Sequence, residues 1–361
     1  MVVKGEPLMV KMLHDKGAKA GLPISGTFEL TQRCNFNCDM CYVHDANKKA
    51  DPISAQQWLE LGRQAKQAGM AFLLLTGGEP LIRKDFDEIY EGLIKMGFLI
   101  SINSNGSLID KHIELFKKYP PVRFNISIYG ADDCAYNNLC HAKSYDKVIN
   151  NIKLLRENNI DVKINLVVTP ANKSDYKKII DITEELKVPI KPTAYAYPAI
   201  RLGKIVNEAR LSAKEAAECT IDIFKIQYPH DTYIKKLQTY ANPPEGNITT
   251  KIRCRAGACT FWVTADGVLS PCGMLPEPTA FPFKDGFEKA WDQIKNSTKE
   301  INLPNDCVNC KYAGYCIVCA AMCKAETNAF DKKPEYICEM MQHLNEIAIK
   351  KLAEEGEINE N

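Results

Sequence analysis

Fifteen cysteines occur in 361 residues, and their spacing sorts most of them into two sets. Cys34, Cys38 and Cys41 lie in "RCNFNCDMCYVH" (33–44), three thiols separated by gaps of three and two residues. Nine more follow from Cys254 to Cys338: Cys254, Cys259, Cys272, Cys307, Cys310, Cys316, Cys319, Cys323 and Cys338. Three thiolates placed as in the first set can converge on one polynuclear centre. A closed structural zinc site wants four ligands, usually as paired C-x-x-C units, and near the first set only His44 could add a fourth. Three cysteines leave one iron of a 4Fe–4S cluster open. Cys134, Cys140 and Cys219 fall outside every motif and read as ordinary packed or exposed cysteines.

The elements that must position these thiols follow one pattern over residues 26–200. Six short apolar runs alternate with amphipathic helical stretches: "GTFELT" (26–31), "FLLLTGG" (72–78), "LISINSN" (99–105), "RFNISIYG" (123–130), "KINLVVT" (163–169) and "IKPTAYAY" (190–197). Between the first two runs, "SAQQWLELGRQAKQAG" has helical period, with Ser54 as N-cap and Gly69 as the stop. Alternating strand and helix implies a parallel sheet with right-handed crossovers. Six units give an α/β fold of the partial (β/α)6 barrel type, open rather than closed eight-fold, and the first cysteine set falls in the loop at its C-terminal mouth. A further helix (212–228) precedes the Pro- and Gly-bearing "ANPPEGNITT" (241–250), a boundary signal. The cysteine-rich remainder shows a hairpin at Asp266-Gly267 and reads as short helices and loops needing staples besides a core. The expected organisation is an N-terminal extension (1–25), the barrel (26–228), a linker (229–253), the cysteine-rich domain (254–345), and a helix end with polar tail (346–361).

Composition narrows the function classes. With 46 basic and 45 acidic side chains, no strong field draws a nucleic-acid backbone or an anionic membrane. No signal-peptide stretch opens the chain and no transmembrane-length apolar run occurs, so a cytoplasmic protein without membrane or nucleic-acid partners is expected. In a reducing compartment, many cysteines argue for metal rather than disulfides.

The first cysteine loop, with "TGGEP" (Gly77, Gly78, Glu79, Pro80) closing the second strand, resembles the radical S-adenosylmethionine (SAM) superfamily over residues 26 to about 228. The resemblance implies that Cys34, Cys38 and Cys41 hold a 4Fe–4S cluster whose fourth iron is chelated by SAM. It further implies that the glycines and Glu79 meet the SAM amino group, that Asn105 and Ser127 contact methionine or ribose, and that Val168 forms the adenine-side wall. Family loops usually have an aromatic before the third cysteine; here Met40 stands there and Tyr42 follows. The cysteines beyond 254 resemble the SPASM extension, which holds two auxiliary 4Fe–4S clusters. Cys254 with Gly267 and Cys272 fits its first half, and Cys307-x-x-Cys310 with Cys316 its second. Carried over, Cys307, Cys310, Cys316 and Cys338 hold an outer cluster, and Cys254, Cys259, Cys272 and Cys319 an inner one. The pattern places the last inner ligand at Ala320, so Cys319 is favoured and Cys323 is the alternative.

The resemblance implies cleavage of SAM to a 5′-deoxyadenosyl radical that abstracts hydrogen, with auxiliary clusters handling electrons and a flavodoxin or ferredoxin as electron donor. Most such enzymes modify peptides, so oxidative modification, such as cross-linking, of a ribosomally made peptide is the leading expectation. The alternatives are a small-molecule enzyme acting on a tetrapyrrole or other metabolite, and a zinc-stabilised interaction protein. Sulfatase maturases carry Asp where Gly273 stands here, which disfavours that activity. About 25 residues precede the first strand, too few for a peptide-recognition domain. Recognition is therefore expected in loops, in 229–253, or on a separate protein. Tyr195 and Tyr197 are substrate-facing candidates or plain strand aromatics, and Asp132, Asp133 and His141 are proton-transfer candidates or solvated loop residues.

Overall fold

The structure is a computed structural model and describes residues 5–43, 50–198, 209–244 and 249–356. Its strands are β1 (Ser25–Glu29), β2 (Phe72–Thr76), β3 (Leu99–Ser104), β4 (Arg123–Ser127), β5 (Val162–Val167), β6 (Ile190–Thr193), β7 (Thr260–Val263) and β8 (Leu269–Ser270). The α-helices are α1 (Leu8–Ala20), α2 (Ala55–Gln67), α3 (Phe86–Lys95), α4 (Ile113–Lys118), α5 (Asp133–Cys140), α6 (Tyr145–Glu157), α7 (Tyr176–Glu185), α8 (Ala213–Gln227), α9 (His230–Ala241), α10 (Pro282–Asp285), α11 (Phe287–Lys299), α12 (Ala320–Thr327) and α13 (Glu335–Glu354).

All six expected strands form, and they pair in parallel in the order β6-β5-β4-β3-β2-β1. Alternation along each strand sorts the residues. Phe28, Leu75, Ile102, Ile126, Ile164 and Leu166 are buried in the core, whereas Ser101, Asn103, Asn125, Ser127, Lys163 and Asn165 on the opposite face are only half-buried. The sheet therefore presents a concave polar interior. Helix α2 starts with the expected cap: the Ser54 side chain accepts from the Gln57 amide and Gln57 returns a bond, a reciprocal capping box.

The hairpin of the cysteine-rich region does not stand apart. Its strand β7 pairs in parallel with β1, Ser25 opposite Thr260 and Phe28 opposite Val263, and β8 returns antiparallel, so one sheet of eight strands spans both regions. The turn itself is as expected, with Gly267 N–H donating to Thr264 O at 2.8 Å.

Two expectations about organisation are corrected. The stretch read as linker (229–253) opens with helix α9, packed on α8 and α13. The region read as short helices contains the 13-residue α11, whose Phe287, Ala290, Trp291, Ile294 and Thr298 are buried at helical spacing. The closing helix, whose end was expected in 346–361, is α13, which runs 20 residues and packs along α8 and α9. At the opposite end, α1 closes the N-terminal side of the strands: its buried His14 bonds Ser25 Oγ at 2.6 Å and stacks on Phe72.

Candidate active site at the barrel mouth

After β1 the chain turns into the loop that carries the first three cysteines, and backbone donors fasten that loop on two sides. Gly78 N–H donates to Thr31 O (2.7 Å) and Glu79 N–H to Arg33 O (2.9 Å), joining it to the end of β2. Asn37 N–H donates to Cys140 O and Asp39 N–H to Leu139 O, both at 3.1 Å, so the last carbonyls of α5 are satisfied by the cysteine loop. An ion pair between His141 and Asp39 (2.7 Å) lies beside this seam. Asn105 at the end of β3 donates to Asn35 Oδ1 at 2.9 Å, and Asn35 donates to Ser107 Oγ at 2.9 Å.

The glycines of "TGGEP" are explained by this docking. A Cβ on Gly77 would collide with Thr31 O and one on Gly78 with Arg33 O, so only glycine lets the two loops lie back to back. Glu79 is wholly buried and does not line the cavity. Its carboxylate accepts from Ser104 Oγ (3.0 Å), Asn105 N–H (2.7 Å) and Leu81 N–H (3.1 Å). Burial pushes its pKa up to about 7 against the pull of these bonds. Glu79 thus orders the ends of β2 and β3, and Pro80 behind it is buried too.

The three thiols lie within electrostatic reach of one another. Burial pushes Cys34 up to about 12, and Glu79, Cys38 and Cys41 add to the rise. Cys38 is raised as well, chiefly by its contact with the thiol of Cys140, a cysteine that the spacing set aside. Thiols so placed hold their protons at neutral pH and would release them to a bound cation.

A cavity of about 480 Å³ opens beside them, lined by Cys34, Cys38 and Cys41. Of the residues expected to hold SAM, Met40, Gly77, Gly78, Asn105 and Ser127 line it. Val168 does not: it is wholly buried in the core, and its neighbour Val167 takes the wall, because successive strand residues face opposite ways. Sequence reasoning missed Asn103, Asn165, Lys191 and Thr193, all in the lining. The signal was available, since each lies two residues from another inward position on its strand. Tyr195 and Tyr197 both line the cavity. Asp132 instead caps α5 through Ala135 N–H, Asp133 accepts from Tyr145 N–H, and His141 pairs with Asp39. His44 lies outside the described residues.

Burial raises Cys307, Cys316 and Cys338, and Cys310 stands close enough to each to add to the rise. Burial likewise raises Cys254 and Cys272, with Cys319 close enough to add to both. Cys259 is buried ahead of β7, and its charged neighbours are Arg255, Asp15 and Glu6. Cys323 is wholly buried between the groups, near Cys307, Cys316 and Cys319. Gly273, after Cys272, lies flat on the Trp262 indole, where a Cβ would come within 2.8 Å of the ring. Among the described residues no three His, Cys, Asp or Glu side chains close on a point that one metal ion could occupy.

Comparison with known proteins agrees with this geometry. Residues 28–182 match the family model described as "Radical SAM superfamily". The chain is 26% identical over 316 residues to the sporulation killing factor maturation protein SkfB of Bacillus subtilis, covering 86% of this chain and 74% of that one. It is 27% identical over 257 residues to a probable GTP 3′,8-cyclase of Saccharolobus solfataricus, covering 67% and 80%. Among solved structures, Streptococcus suis SuiB bound to S-adenosylmethionine superposes with a TM-score of 0.67 at 17% identity over 92% of this chain and 81% of that one. SuiB has also been solved with its precursor peptide SuiA, with a TM-score of 0.64.

Proposed function

Because the chain carries a radical SAM domain followed by a SPASM-type C-terminal region, we propose that it is a peptide maturase that oxidatively modifies a ribosomally made peptide. In this reading Cys34, Cys38 and Cys41 hold the 4Fe–4S cluster, and Gly77, Gly78, Asn105, Ser127 and Val167 receive SAM in the cavity beside it. Cys307, Cys310, Cys316 and Cys338 hold an outer auxiliary cluster, and Cys254, Cys272 and Cys319 provide an inner one. A flavodoxin or ferredoxin supplies electrons, and a separate protein can present the peptide.

The observation that carries the reading is the cavity itself: Cys34, Cys38 and Cys41 line one side of a space of about 480 Å³ whose other side is the polar inner face of β3 to β6. The bound cluster and SAM together supply a 5′-deoxyadenosyl radical. This chain's own part is to hold and screen. Asn105, fixed through Glu79 and Asn35, presents its amide beside Cys34 (Nδ2 to Sγ 3.7 Å). Tyr129, Tyr136 and Val167 add bulk to the walls, which excludes water from a reactive radical. Support for a peptide substrate comes from the likeness to SkfB over most of both chains. Gly273 argues against the sulfatase-maturase branch, since the Trp262 ring fills the space that an acid would need.

The test is mass spectrometry of a short peptide encoded beside this gene, co-expressed anaerobically with the enzyme. Loss of two hydrogens from the peptide, absent with the C34A/C38A/C41A variant, supports the reading. The likeness to a GTP cyclase favours a second reading, a small-molecule substrate. Unchanged peptides alongside intact SAM cleavage would select it.

A further inference from the structure

Tyr197 touches both cysteine regions. Its side chain lines the cavity with Cys34, Cys38 and Cys41, and its hydroxyl lies 3.7 Å from the Sγ of Cys319. Cys319 in turn influences both Cys254 and Cys272. The ring is held from behind. Tyr195 meets it edge-on at 4.9 Å between centroids and 79° between planes. The Tyr195 hydroxyl donates to Glu326 at 3.2 Å, and Glu326 on α12 is paired with Arg210. Arg210 lies 3.8 Å over the Tyr336 ring, and the Tyr336 hydroxyl donates to Leu211 O at 2.8 Å. The side chains of this ion pair are 14% and 12% exposed, so the pair carries a desolvation cost that only good geometry offsets. The arrangement fixes the end of β6 against α12 and α13 and leaves the Tyr197 hydroxyl directed at sulfur.

We propose that Tyr197 is a positioning residue linking the reaction cavity to the inner auxiliary centre, donating a hydrogen bond to the Cys319 sulfur and thereby raising that centre's reduction potential. The proposal rests on the reading of Cys319 as a ligand of that centre. A metal-bound thiolate has no proton, so the tyrosine must be the donor. Hydrogen bonds to ligating sulfurs stabilise the more negatively charged, reduced state of a cluster. Because the same ring forms part of the cavity wall, a substrate that shifts it changes this bond as well.

The experiment is an anaerobic redox titration followed by electron paramagnetic resonance, on chains carrying C34A/C38A/C41A so that only auxiliary centres report. Tyr197→Phe is expected to keep the iron content and move one of the two auxiliary waves to more negative potential. Replacing Tyr197 with 3-fluorotyrosine, a stronger donor, is expected to move the same wave the opposite way. Unmoved potentials with normal iron would overturn the proposal. Loss of iron in Tyr197→Phe, with no shift in the fluorotyrosine chain, would assign a purely structural role and overturn it too. The underlying reading is checked separately with Cys319→Ala: if that chain keeps its full auxiliary iron, Cys319 is not a ligand, whatever Tyr197 does.

Discussion

The two cysteine regions are positioned by different means. The loop bearing Cys34, Cys38 and Cys41 is tied by backbone hydrogen bonds to the ends of β2 and α5 and by side chains to the end of β3, elements rooted in the main core. The region from Cys254 to Cys338 has a two-strand hairpin grafted onto β1, the helices α10 to α12, and long irregular stretches around Cys307, Cys310 and Cys316. The first loop is therefore held mainly by ties that its thiols do not make. The second region has fewer regular elements per cysteine and depends more on what its cysteines bind, as small metal-stapled units do.

The sharpest break of this comparison comes from removing the thiols themselves. C34A/C38A/C41A is expected to bring SAM cleavage down to background while the melting temperature stays within a few degrees, since the ties of that loop are made by other atoms. Cys307→Ala with Cys316→Ala is expected to lower the melting temperature strongly, read by calorimetry under anaerobic conditions. Chelation of iron should act next. Amide exchange followed by mass spectrometry is expected to quicken across 305–320 and to change little across 72–78 and 99–105; equal quickening in both would contradict the contrast.

Smaller effects sharpen the picture. Glu79→Ala leaves the Asn105 and Leu81 N–H groups without their buried acceptor, at a cost of about 1–3 kcal/mol each, visible in denaturant unfolding. Gly273→Asp forces a side chain into the Trp262 ring and is expected to cost about 1–3 kcal/mol. The smallest effect is with pH. Glu79 has a folded pKa raised to about 7 from an ordinary 4.5. The folded state therefore binds the proton more tightly, and this group's contribution to stability falls as pH rises from 4.5 to 7 and is flat on either side. Glu79→Gln should remove that part of the pH dependence, seen as a smaller change in unfolding free energy across the interval.

The sequence made much of this legible. Strands announced themselves because apolar runs such as "FLLLT" are bounded by glycine and polar turns, and Ser54 announced α2. The motif residues fell at strand ends, where a parallel sheet gathers loops. Other features depend on side-chain direction or on contacts far apart in the chain. Val167, the last residue of β5, and Val168, the next one along, differ in which way they face. The inward turn of Glu79 follows from Ser104 and Asn105, 25 and 26 residues away. Cys259 fits the family spacing, and only the fold brings Glu6 and the α1 residue Asp15 close to it. No spacing rule reports the approach of Tyr197 to Cys319 across 122 residues. Helix α11 was readable from its Phe287, Ala290, Trp291 and Ile294 spacing, but the density of cysteines around it suggested irregular chain.

The most direct test of the account is the iron content, with the SAM-cleavage rate, of the anaerobically reconstituted chain beside its C34A/C38A/C41A variant. The account predicts about 12 irons per chain, falling to about 8 in the variant with SAM cleavage lost, as expected for one SAM-binding and two auxiliary 4Fe–4S clusters. Stoichiometric zinc in place of iron, or SAM cleavage that survives the triple substitution, would contradict it.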